Sequence, residues 1–438
     1  MTSPTDPQRP TRVRWTIVAL LTGLSLTSYL LRMNISVASK FMMPELGLTQ
    51  IQMGQVFSSF LIGYTVFQIP TGIWSDRRGP KVVLSLAALS WGTMTVLTGF
   101  VPGIVIGGAG AFAALLALRF LLGVGEAATY PVGARAVASW SPVSERALAQ
   151  AIVLGGISVG SAVTPPVIAL LMVKVGWRES FYMVSTVAFV IAALWAWYAA
   201  DGPERHPGTN PAERRLIAGA PGERASDHAG PGTWLRVFRN RDVALVSLSY
   251  FFDGYIFYIV IFWTFTYLVE QRGFSILSGG AYSSLPFICA GILTPIGGWT
   301  SDRLLRPLGR RWARRSPAIA GMVLAGLFII LAALVRNPYL AIAGLGFSIG
   351  FDQFAEPTFW AATMDISGPL AGTACGILNM MGNLGGVVST SFVPVLVKYF
   401  GWGVALGSGA AFAFVSAFLW LFVRADRPMH EAAIPVAF

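Results

Sequence analysis

The sequence predicts an all-α membrane protein with twelve transmembrane helices in two pseudo-symmetric six-helix bundles. Three observations carry that expectation. Of 438 residues, 55% are hydrophobic and only 12% are charged, against about 25% charged in a soluble domain. The apolar residues fall into twelve stretches, each close to the roughly 20 residues that cross a bilayer. A charged motif recurs after the second and eighth stretches, 226 residues apart. The composition excludes a disordered chain, which needs low hydrophobicity and high net charge. It also excludes an ordinary soluble enzyme. With 48 Gly and 14 Trp, it suits helices packed in lipid, where Gly permits close approach and Trp sits at the interfaces.

The expected spans cover residues 15–38, 52–74, 81–101, 109–131, 147–173, 179–200, 242–269, 279–300, 317–335, 338–362, 371–397 and 402–424. The first begins after Arg9, Arg12 and Arg14 and resembles a signal peptide in its charge pattern. It is long enough to span and contains Arg32 and Asn34, so it reads as an uncleaved first helix. The ninth and tenth are separated only by a short turn at Arg336, Asn337 and Pro338.

Direction follows from the basic residues. With the N-terminus inside, the inside segments hold 23 Lys and Arg and the outside segments 6, with Arg32 and Arg119 inside spans. That asymmetry places both termini in the cytoplasm. It also accounts for the net charge of +11 without nucleic acid. The expected organisation is a cytoplasmic tail (1–14), a six-helix bundle (15–200), a cytoplasmic linker (201–241), a second bundle (242–424) and a tail (425–438). The linker rests on its prolines and glycines. A compact chain without long loops points to a bacterial inner (plasma) membrane.

The recurring motif reads GIWSDRRGPK from Gly72 and GWTSDR from Gly298. Repeats at corresponding places in two halves are a mark of transporters, which bind substrate near mid-membrane. The same offset of 226 carries Tyr29 to Tyr255 and Glu126 to Asp352. Asp352 is therefore expected to be the second-half counterpart of Glu126. Asp76, Arg77, Asp302 and Arg303 lie at cytoplasmic helix ends, where carboxylates favour helix N-termini. They read as gate-locking groups and not as ligand contacts.

Ionisable residues inside a membrane are costly and functional by default. Here they are Arg32, Arg119, Glu126, Asp253, Asp352 and Glu356. Arg119 and Glu126 are seven residues apart, on one helix face and about 10.5 Å apart along the axis. A permanent cation that binds carboxylate bidentately, beside an acid able to carry a proton, suits a proton-coupled anion carrier. Arg32 supplies a second cation, with Tyr29 one turn away. Asp352 and Glu356 share a face four residues apart, and two close carboxylates do not readily both ionise. They read as a second proton site or a site for a cationic part of the substrate. Asp253 lies near the cytoplasmic end of its span.

The Gly72 motif resembles the loop between the second and third helices of the major facilitator superfamily, and the resemblance runs from about Trp15 to Arg424. The segments YLLRMNISVA from Tyr29, GY at Gly63, QIPTG from Gln68, RFLLGVGEA from Arg119 with Tyr130 and Pro131 following, and GILNMMGNLGG from Gly376 are similar to the anion:cation symporter family. That family includes bacterial sugar-acid carriers and animal organic-anion carriers. The resemblance implies two bundles rocking about a central cavity. It implies Arg32 and Arg119 as contacts of the substrate carboxylate, Glu126 as the proton-coupling acid, and Tyr29 and Tyr64 as substrate contacts. Asn379, Asn383 and Trp360 are implied as further contacts, with Asp352 or Glu356 assisting proton coupling. Many bacterial relatives carry Asp just before the first-span arginine; this chain has Leu31.

The function expected is proton-coupled symport of an organic anion such as a sugar acid, aromatic acid or small dicarboxylate. The rival on the same fold is a drug/proton efflux antiporter. Those carriers resemble one another in a proline after the second glycine of a fifth-span motif; here Ser161 follows Gly160. Two arginines also repel cationic drugs. A membrane enzyme would need a nucleophile, metal ligands or an acid–base set. All three histidines (His206, His228, His430) lie in polar segments, and Cys289 and Cys375 have no metal or disulfide spacing. A sensor would carry an added cytoplasmic domain. No cofactor, metal, nucleic acid or obligate protein partner is expected; the partners are a small organic anion, the proton and the lipid bilayer.

Overall fold

The computed structural model describes residues 9–104, 108–218, 233–427 and 429. Its helices are α1 (Val13–Leu46), α2 (Gln50–Arg78), α3 (Pro80–Ile104), α4 (Gly108–Glu126), α5 (Thr129–Trp140), α6 (Val143–Val175), α7 (Trp177–Tyr198), α8 (Pro211–Ala218), α9 (Thr233–Phe238), α10 (Arg241–Glu270), α11 (Ile276–Tyr282), α12 (Leu285–Arg303), α13 (Leu305–Leu334), α14 (Pro338–Ser367) and α15 (Ala371–Trp420). No strand occurs among the described residues. Nine helical stretches there are long and apolar enough to cross a membrane, with α4 and α5 joined and α11 and α12 joined. One of them, α15, has 50 residues and bends at Gly401, whose φ of 80° is left-handed. It therefore carries the two spans expected on either side of 398–401. The remaining two expected spans fall on α2 and α14, 29 and 30 residues long.

Local chemistry sets the helix ends. Thr49 accepts from the Gln52 amide while the Gln52 side chain accepts from the Thr49 amide, a capping box that starts α2. Asn240 and Asn337 cap α10 and α14 through their side-chain oxygens. The fourth span differs from expectation. It breaks at Ala127 and Ala128, directly after Glu126. Pro131 has no amide hydrogen to give to the preceding turn, and two turn residues separate α4 from α5 beside the titratable group.

The chain divides into two compact units, Met1–Ala225 with Phe274–Ser284, and Ser226–Gly273 with Leu285–Phe438. In the first, α1 packs on α6, α2 on α4 and α3 on α7. In the second, α10 packs on α15, α12 on α14 and α13 on α15. These are the pairings that a shift of 226 residues produces. The shift also carries Pro131 to Pro357, Gly156 to Gly382 and Gly160 to Gly386. Gly156 and Gly160 lie against Leu26 of α1, and Gly382 and Gly386 against Tyr250 and Tyr258 of α10. With these correspondences, the pairing of Glu126 with Asp352 rests on more than one motif.

The segment after residue 200 is more than a linker. Asp201 Oδ1 accepts from the Lys81 amide at 2.9 Å and so caps α3. Glu213, on α8 and 0% exposed, accepts from the amides of Val13 and Arg14 at 3.3 and 3.2 Å, from Arg14 Nη1 at 3.1 Å, and from the Thr11 hydroxyl. Arg14 also makes a two-pronged contact with Glu145, at 2.8 and 3.2 Å. A carboxylate thus satisfies the first-turn amides of α1, where negative charge is favoured. Proline and glycine content predicted a linker, but buried hydrogen bonds dock its first part on the first unit. Glu213→Ala is expected to lower stability by about 2–3 kcal/mol, the range for lost charged hydrogen bonds. Thermal melting in detergent checks this; an unchanged melting temperature would show α8 to be a passive spacer.

Candidate functional site

In the first unit the intramembrane charges converge. The close approach of α2 and α4 comes from Gly63 and Gly123: a Cβ on either would press into the carbonyl of Phe120 or Phe60. This brings Tyr64 and Phe60 next to the α1–α4 seam. Arg32 donates to Glu126 Oε2 through Nε at 3.0 Å and Nη2 at 2.9 Å. Its guanidinium lies 4.6 Å from the Tyr29 ring, 5.0 Å from Phe60 and 4.6 Å from Tyr64. Rings at such distances attract a cation through their π-faces. Both partners of the ion pair are buried, the side chains 1% and 0% exposed.

Arg119 is placed differently. Two turns along α4 keep it out of direct contact with Glu126, which reaches across to α1 instead. Arg119 Nη1 donates to the Leu31 carbonyl at 3.2 Å and Nη2 to Asn34 Oδ1 at 2.9 Å. The Phe181 ring of α7 lies 6.0 Å from its guanidinium. Buried atoms without a hydrogen-bond partner include Arg119 Nε, Asn34 Nδ2 and Glu126 Oε1. The surrounding hydroxyls are those of Tyr130, 3.4 Å from Ser25 Oγ, and Thr129, which bonds back to the Glu126 carbonyl at 2.7 Å.

The second unit gathers carboxyls in place of arginines. Glu356 Oε1 accepts from the Tyr250 hydroxyl at 2.6 Å and from Trp360 Nε1 at 2.7 Å. Asp253 and Asp352 are 2% and 0% exposed, and each has an unpartnered Oδ1. Asn383 accepts from the Tyr258 hydroxyl at 2.8 Å and donates to the Asn379 carbonyl at 2.8 Å, so these two asparagines are joined. At the helix ends, Asp302 pairs with Arg314 at 3.0 Å, and Arg314 also holds Asp365 at 2.8 Å. Arg303 and Arg77 are exposed. The side chain of Asp76 lies outside the described residues, as do His228 and His430.

Reading the sequence missed Asn34, Phe60, Tyr250 and Tyr258. Phe60 sits one turn before Tyr64, a spacing that places both on one face. Asn34 was legible only as a lone amide in an apolar span.

The family model for the Major Facilitator Superfamily matches residues 21–390. The chain is 32% identical over 430 residues to the probable sulfoacetate transporter SauU of Cupriavidus necator, covering 96% of this chain and 97% of that protein. It is 30% identical over 404 residues to the probable galactarate/D-glucarate transporter GudP of Escherichia coli, covering 90% and 88%. The crystal structure of a bacterial homolog of the human lysosomal transporter Spinster, inward-facing and occupied, matches with a TM-score of 0.78 at 16% identity, over 96% of this chain and all of that one. That likeness speaks to the fold. A charged aromatic cluster on a repeated helical frame, with a family match across most of the length, makes this a multi-pass membrane transporter and not an enzyme: the chain belongs to the Major Facilitator Superfamily.

Proposed function

We propose that this transporter moves a small organic dianion together with protons, by alternating access. The observation that carries the reading is the buried Arg32–Glu126 pair in its cage of three aromatic rings. The relatives' names support the substrate class. Sulfoacetate and galactarate each carry an acid group at both ends, and the first unit offers two cationic centres, Arg32 and Arg119.

Coupling follows from competition for one guanidinium. Ionised Glu126 occupies Arg32 through Nε and Nη2. When the carboxyl takes a proton, Arg32 is released to an anionic oxygen of the substrate. Proton and anion therefore favour each other's binding, and linkage makes that effect reciprocal. Tyr29 and Tyr64 line the same cation and are proposed as substrate contacts. In the second unit, Trp360, Asn379 and Asn383 are proposed as further contacts, and Asp352 or Glu356 as assisting the coupling that Glu126 carries. Asp76, Arg77, Asp302 and Arg303 are proposed as gate-locking groups. The proposed location is a bacterial inner membrane, with both termini cytoplasmic.

Purified protein is to be melted against sulfoacetate, galactarate, aromatic acids, neutral sugars and lipophilic cations at pH 5.5 and 7.5. A ligand that binds only the folded state raises the melting temperature. A dianion is expected to stabilise, with affinity greater at pH 5.5 by roughly 5- to 150-fold, the usual span of coupling between sites. Affinity flat between pH 5 and 8 would remove the coupling scheme. A response to cations alone would favour the efflux antiporter.

A further inference from the structure

The two buried arginines of the first unit are treated unequally, and the residue responsible is Asn34. Arg32 faces a carboxylate. Arg119, 2% exposed, faces only neutral acceptors, the Leu31 carbonyl and the Asn34 amide oxygen. No ion pair to Arg119 occurs among the described residues, and its Nε has no acceptor. A guanidinium stays protonated in proteins, so Arg119 remains a full positive charge in a buried setting.

We infer that Asn34 is a positioning residue that holds Arg119 as a cation with no carboxylate in ion-pair contact, and so supplies the pH-independent half of the attraction for the substrate dianion. The inference rests on the reading under Proposed function and extends it to a residue with no assigned role. An amide oxygen accepts a hydrogen bond as a carboxylate does, but adds no charge. Arg119 is fixed without being neutralised. The same two bonds clasp α1 at residues 31 and 34, on either side of Arg32, so the clasp also sets the turn that presents Arg32. Asn34 is 0% exposed, and its Nδ2, like Arg119 Nε, has no hydrogen-bond partner. Two buried donors next to a surplus positive charge match the needs of an anionic oxygen. The ionisable groups around Arg32 and Glu126 include Tyr29 on α1, Tyr64 on α2 and Tyr130 on α5, and Glu126 is the carboxylate whose charge reaches Arg119. Phenols and guanidinium groups keep their charge state below pH 8. Of this set only Glu126 switches, leaving Arg119 as the constant centre.

The test is Asn34→Asp in the full-length protein, an almost isosteric change that gives Arg119 a counter-charge. Two opposite effects are expected at pH 7.5. The melting temperature without ligand holds or rises, because a buried cation gains a partner. The Kd for galactarate or sulfoacetate rises by roughly 30-fold or more, as expected when a buried charge contact is removed. At a residue that served packing alone, the change would lower the melting temperature, because a buried charge without a partner is costly, and would leave the Kd unchanged. Asn34→Ala, which removes the acceptor without adding charge, is expected to weaken dianion binding by about tenfold. A misfolded or markedly less stable Asn34→Asp protein would mean that Arg119 has no place for a carboxylate and would overturn the inference. So would wild-type affinity in either variant. If the wild-type protein binds neither dianion, the Proposed function fails, and the ligand-free melting comparison still decides the role of Asn34.

Discussion

Glu126→Gln protein in proteoliposomes is expected to exchange labelled substrate across the membrane but not to concentrate it in response to a pH gradient. For the wild-type protein, one coupled proton and a gradient of two pH units drive accumulation of about 100-fold, since each unit is worth about 1.4 kcal/mol. For the variant the expected ratio is about 1, because no driving force is transmitted. The amide keeps the size and the hydrogen-bonding oxygen of the acid, so Arg32 retains a neutral partner and the fold is preserved. It resembles the protonated state permanently, with Arg32 available. Exchange should therefore persist, and substrate affinity should lose its dependence on pH. Accumulation that survives the substitution would transfer the proton to the second unit, where Asp352 and Glu356 are the candidates.

The spans and their order were legible because lipid imposes a long apolar run for each crossing. The repeat was legible from one motif because its two copies preserve an offset, which Pro131 and Pro357 and the paired glycines also follow. The break after Glu126 was not. A proline five residues beyond an acid also occurs at Pro357, where α14 continues unbroken from Pro338 to Ser367. Nor was the docking of α8 legible, since composition describes a segment's own preferences and Glu213 is fixed by amides some 200 residues away. The candidate site divides in the same manner. Charges in lipid advertise themselves, so Arg32, Arg119 and Glu126 stood out. Periodicity relates groups on one helix, which is why Glu126 was read beside Arg119 and its actual partner on α1 was not. Asn34 carries no charge and gave no comparable signal.

Arg32→Ala is expected to produce two losses that a second substitution separates. Without the guanidinium, dianion binding falls by 100-fold or more, roughly the effect of removing one partner of a buried charge pair. The same change leaves the fully buried Glu126 without its counter-ion, which destabilises a protein by about 3–5 kcal/mol. Low binding in this variant alone is therefore ambiguous, since a weakened fold also binds poorly. Adding Glu126→Gln removes the orphaned charge. The double variant is expected to melt close to the wild-type protein and still fail to bind. Stability restored together with binding would make Arg32 a counter-ion for Glu126 and nothing more, and the anion would then depend on Arg119 and the second unit. Stability restored without binding leaves one guanidinium serving both partners in turn, the carboxylate when it is ionised and the substrate when it is protonated, which is the exchange that proton coupling requires.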